Sequence, residues 1–124
     1  MSQTGDDLRK RVKQFALRVV RLYTCLPRRP EAEVIGKQVL RSANLAGAHH
    51  HEGHRARSTA EFVSKFEVAI QELDETTFWL DVLIEGEIVP AHLLADLQRE
   101  NQELIAIFVA SVKTAKSHSL AVKG

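Results

Sequence analysis

The chain has 124 residues, 44% of them apolar and 27% charged, an ordinary globular composition long enough for one domain with its own core. No apolar run approaches the ~20 residues that a membrane-spanning helix needs, which excludes a helical span. The formal net charge of +1 conceals an asymmetry: residues 1–57 hold twelve Lys/Arg against five Asp/Glu, and residues 58–112 hold two against eleven.

That asymmetry has two readings. Basic early helices can pack beside acidic later ones and cancel them, or they can expose a cationic face to nucleic acid. The N-terminal MSQTGDDLRKR reaches charge at once and lacks the apolar segment of a signal peptide, so a cytoplasmic location is expected. The single Cys25 cannot form an internal disulfide and reads as a reduced, semi-buried thiol.

Leu8, Val12, Phe15, Val19, Leu22 and Leu26 recur at helical spacing, which predicts an amphipathic helix over 7–26 with Asp6 and Asp7 at its positive end. Pro27-Arg28-Arg29-Pro30 ends it, because proline lacks the amide donor and disfavours helix in the residue before it. A second helix is predicted over 31–53. Its stripe of Ile35, Val39, Ser42, Ala43, Ala46 and Gly47 is unusually small, which suits a helix approached closely by its neighbours.

Gly53 reads as a stop for that helix, and Ser58 with Glu61 forms the S-x-x-E capping box that starts a third over 59–85. Phe62, Phe66, Ala69, Leu73, Thr77, Leu80 and Ile84 supply its apolar face. Gly86 and Pro90 bracket the next turn, and Leu94, Leu97, Leu104, Phe108, Val112 and Ala115 predict a fourth helix over 91–116. Residues 117–124 carry no pattern and are expected to form a mobile tail.

Four helices with short loops and no strand signal predict an all-α, up-down-up-down four-helix bundle spanning residues 1–124 as one domain. Ile105 and Val109 add a second stripe to the last helix, and burial on two sides in so small a chain points to a homo-oligomer.

The stretch GAHHHEGHRARS gathers four of the six histidines. His49, His50 and His51 are consecutive, so ~100° of helix rotation separates each from the next and they cannot converge on one ion. Only His50 or His51 with His54 has ligand spacing, and both pairs straddle Gly53, so no metal site is assigned and His50, His51 and His54 remain the alternative ligand set. As groups in a helix's last turn, followed by Arg55 and Arg57, the histidines instead suit the negative end of its dipole. No Glu-x-x-His of the di-iron bundles occurs, nor a phosphate-binding Gly-rich loop or nucleophile motif, so no cofactor and no catalytic residue is assigned.

Glu72 and Glu75 share a face beside Trp79 and read as ion-pair partners of Arg41 or Arg57. Arg11, Arg18 and Arg21 fall near one face of the first helix, with Lys10 beside them and Arg28 and Arg29 in the loop that follows. These six are the candidate nucleic-acid contacts.

The run from Gln38 to Leu83 resembles the bacterial four-helix bundle proteins encoded by intervening sequences of 23S rRNA genes, a group related to the accessory protein of diversity-generating retroelements. The resemblance is carried by Gln38 with Leu40-Arg41-Ser42, by Arg57-Ser58, by Glu61-Phe62 with Lys65, and by Glu72 through Asp74-Glu75-Thr76 to Trp79-Leu80. It implies a cyclic pentamer of up-down-up-down bundles, no known catalysis, and association with RNA or a nucleic-acid-processing protein. The chain departs from the family pattern at Ala48-His49-His50-His51-Glu52-Gly53, where His49 replaces an asparagine. The expected role is therefore that of a non-enzymatic, self-associating scaffold or adaptor. A metal-stabilised protein and a purely structural assembly are the alternatives.

Overall fold

A computed structural model describes residues 5–123, with side chains to Leu120. Helix α1 spans Gly5–Cys25, α2 Pro30–His54, α3 Thr59–Glu85 and α4 Ala91–Lys123, and no strand occurs among the described residues. No helix among them is long and apolar enough to cross a membrane.

The boundaries follow local chemistry. Arg29 is extended (φ −129°, ψ 146°), as the residue before a proline must be, and Pro30 opens α2 where a missing amide costs nothing. Ser58 caps α3 by accepting a hydrogen bond from the Glu61 amide at 3.1 Å. The α3–α4 turn is pinned by the amides of Ile88 and Val89, which both donate to the Leu83 carbonyl at 2.9 and 3.1 Å. The left-handed residue of that turn is Glu87 (φ 58°) rather than Gly86.

Two expectations fail at the ends of the chain. Helix α4 continues through 117–123, where a patternless tail is expected from the sequence, because Ser, His, Leu, Ala and Val there tolerate a helix already nucleated upstream. Cys25 is exposed, since it occupies the last turn of α1 on the side away from the core. Residues 1–4 and 124 lie outside the described region.

Each helix packs on the one that follows it in the chain, and α4 closes back on α1. The α2–α3 seam is the broadest and the α1–α4 seam the narrowest. The small stripe of α2 explains the first: Ala32, Val39, Ala43 and Ala46 are all buried, so the backbones approach closely, while Gly36 makes room for Tyr23 and Leu26 on the α1 side. Inside, Val12, Phe15 and Val19 of α1 meet Phe66, Leu73, Leu80 and Leu83 of α3 and Leu94, Leu104 and Phe108 of α4 in one apolar cluster. Several polar groups within it are paired, although Asn101 Oδ1 is buried without a partner. Ser42 Oγ lies 2.7 Å from Thr76 Oγ1, and Asn101 Nδ2 donates to the Leu73 carbonyl at 3.1 Å and to Thr77 Oγ1 at 2.8 Å.

Candidate functional site

The histidine run sits on continuous helix. Gly53 does not stop α2, which runs to His54 with Arg55 as its C-cap, and no glycine of the described residues has positive φ. Gly53 serves packing instead: a Cβ there would lie 2.7 Å from Phe66 Cδ1.

The consecutive rings diverge as helical rotation requires. His51 and His54 are exposed, His49 is half-buried with its Nδ1 lacking a partner, and His50 is 2% exposed with its Nε2 unpartnered. The His50 ring stacks on Phe108 at 5.1 Å and tilts against Phe66 at 5.2 Å, forming one aromatic layer across three helices. Burial, reinforced by the positive charge of His54, His51 and Arg9, pushes its pKa down to about 4. His50 is therefore a neutral core residue, contrary to the expected cationic group at the helix end. Among the described residues no three of His, Cys, Asp and Glu are disposed to hold a metal ion, so the alternative set His50, His51 and His54 does not assemble.

A second polar cluster lies on the α2–α3 seam. Arg41 Nη1 reaches Glu75 Oε1 at 3.5 Å, and Trp79 Nε1 donates to the same oxygen at 3.2 Å. Glu72 makes no such pair: burial and then the neighbouring Glu75 raise its pKa above the usual carboxylate range, and its Oε2 is buried without a partner. Arg57 is absent from this cluster because it lies in the α2–α3 loop, where its amide faces Glu61 Oε2 at 3.5 Å.

The basic stripe of α1 is largely turned inward onto α4. Arg11 donates to both Glu100 oxygens at 2.7 Å and to Glu103 at 2.9 Å, Arg18 pairs with Asp96 at 2.7 Å, and Arg29 pairs with Glu31 at 3.2 Å. Only Lys10, Arg21 and Arg28 of the six candidate contacts have no carboxylate partner among the described residues. The opposite charge of the two halves of the chain is thus used mainly to fasten α1 to α4. Arg11→Ala is expected to lower stability by about 1 kcal/mol, since it strands a partly buried Glu100, and the denaturant midpoint measures it.

Two partly apolar faces on the surface were not revealed by the periodicity of single helices. A groove between α1 and α2 is lined by Lys10, Lys13, Leu17, Asn44, Gly47 and His51. Leu17 is 42% exposed and Val20, one turn further, 38%. On the far side of the bundle α3 presents exposed Asp74, which has no ion-pair partner among the described residues, and Phe78, 57% exposed.

The fold and these clusters define an antiparallel four-helix bundle whose interior polar groups are structural and whose distinctive features are faces. The chain belongs to the 23S rRNA-intervening sequence protein family, whose profile matches residues 7–110. It is similar to a crystal structure from Bacteroides thetaiotaomicron VPI-5482, described as a protein of unknown function from the S23 ribosomal protein family. The two share 30% sequence identity and a TM-score of 0.82 over 87% of this chain and 96% of the other. No curated protein matches the chain.

Proposed function

We propose that the protein is a self-assembling scaffold that acts by binding, with copies joined head to tail through the α1–α2 groove of one and the outer face of α3 of the next. The supporting observation is a match of spacing. Lys13 and Leu17 lie one turn apart on α1, and Asp74 and Phe78 lie one turn apart on α3. With the two helices parallel, the carboxylate meets the lysine in the same register in which the exposed phenylalanine meets Leu17 and Val20.

Helices α1 and α3 run the same way in an up-down-up-down bundle, so rotation about an axis along the bundle keeps α1 of one copy parallel to α3 of its neighbour. Such a contact uses two different patches, and it closes into a ring when the rotation between neighbours divides a full turn. Five copies, the number implied by the family resemblance, is the ring we propose.

Nucleic acid is the weaker partner. To recruit Arg11, Arg18 and Arg29, a phosphate backbone has to displace carboxylates already held at 2.7–3.2 Å.

Light scattering on the purified chain tests the scaffold. A ring several times 13.9 kDa is expected, Phe78→Asp should reduce it to monomers, and Lys13→Glu should weaken it until Asp74→Lys is added. A wild-type monomer at 13.9 kDa, or a ring indifferent to Phe78→Asp, overturns the reading.

A further inference from the structure

The four helices do not end together. Arg11 grips Glu100 and Glu103, and Gly5 lies six residues below it, so at 1.5 Å per residue α1 begins opposite roughly residue 107 of α4. Helix α2 ends at the same height, because a Cβ on Gly5 would lie 3.0 Å from His54 Cε1. Helix α4 continues to Lys123, so roughly 20 Å of it runs past α1.

The stripe of α4 that faces α1 does not stop there. Asp96, Glu100 and Glu103 are followed at the same three- and four-residue spacing by Ile107, Ala110 and Thr114, and no helix among the described residues covers them. The result is a groove of 1130 Å³ with Phe62, Ile107, Ala110 and Ala115 in its floor and Arg57 and His118 at its rim. Its volume exceeds the ~300–1,000 Å³ of most small-molecule sites, so it suits a polypeptide segment better than a metabolite.

We propose that this groove receives an acidic amphipathic helix of another protein, laid along the track that α1 vacates. Small residues let a helix backbone approach closely, and the hydroxyl of Ser111 is turned back onto the Ile107 carbonyl at 2.9 Å, so Phe62, Ile107, Ala110 and Ala115 make the floor mostly apolar, with Ser58, Thr59 and Thr114 as its other polar lining. The rim sets the charge of the occupant. The side chains of Arg57 and His118 line the groove and form no ion pair among the described residues, whereas Lys116, facing the other way, is tied to Glu67 at 3.4 Å. A second copy offering its own α4 brings the same basic residues rather than carboxylates to meet them. A nucleic acid finds Arg57 at the rim and a mostly apolar floor.

Two synthetic 18-residue helical peptides with one shared Leu/Ala stripe, flanked by glutamates in one and lysines in the other, test the idea by fluorescence anisotropy against the full-length protein. The glutamate peptide should bind at least tenfold more tightly. Ala110→Trp, at an exposed position, should abolish that preference without changing the thermal melt. Phe78→Asp should leave peptide binding intact, which separates this site from the assembly contact. Equal binding of the two peptides, binding that survives Ala110→Trp, displacement by an oligouridine, or a change in oligomer mass on Ala110→Trp overturns the proposal.

Discussion

Acidification from pH 7 to pH 4 is expected to cost the bundle about 3 kcal/mol through His50 alone. The ring is neutral in the folded state because its pKa there is about 4, and an exposed histidine in the unfolded chain titrates near 6.5. Between those values the unfolded state binds the proton and the folded state does not, so stability is full above ~6.5 and falls as the pH drops toward 4. The charged groups acting on the ring are His51 and His54 of its own helix and Arg9 of α1, and α3 and α4 present Phe66 and Phe108.

Glu72 works in the opposite sense. Its raised pKa makes the folded state take up its proton first, so its contribution grows on acidification. Comparison with His50→Leu isolates the histidine. The variant should lose most of the pH dependence between 4 and 6.5 in urea unfolding, and it should gain about 1 kcal/mol at pH 7 by removing the unpartnered Nε2. Parallel stability curves for the two proteins would rule out a buried neutral ring.

Gly53→Ala should destabilise the protein by about 2 kcal/mol, although the same change inside a helix ordinarily gains about 1. The new methyl would stand 2.7 Å from Phe66 Cδ1, 2.9 Å from its Cε1 and 3.1 Å from Lys65 Cβ. Phe66 has nowhere to retreat, since Phe62 stacks on it at 4.1 Å and Phe108 lies 5.3 Å behind. Gly47 supplies the control on the same helix. Its nearest neighbour would be Val12 Cγ1 at 3.8 Å, so Gly47→Ala should be neutral or stabilising. Thermal melts of the two variants shifting in the same direction would mean that the contact at Gly53 relaxes freely.

The helices were legible because each carries its own evidence: an apolar stripe, a proline, a capping serine. The role of His50 was legible too and was missed. Val39, Ala43 and Ala46 continue by four residues to His50 and by three more to Gly53, so the small buried stripe runs through the histidine cluster. Composition drew attention to the ring chemistry, whereas periodicity held the answer.

The fate of the basic stripe was not legible in one helix. Whether Arg11 and Arg18 face solvent depends on which helix closes the bundle, and Glu100, Glu103 and Asp96 lie some eighty to ninety residues away in sequence. The groove below α1 was hidden for a related reason. It arises from unequal helix lengths, and the extension of α4 past residue 116 has no strong local signal.

The narrow α1–α4 seam makes the bundle mechanically uneven. Its Arg11–Glu103 and Arg18–Asp96 pairs are exposed enough for dissolved salt to screen, while the α2–α3 seam rests mainly on buried small-residue contact and the Ser42–Thr76 hydrogen bond, which salt does not weaken. Helix α1 is accordingly expected to detach first, a hinged stave on a three-helix core, so its backbone amides should exchange with solvent before those of α2 and α3.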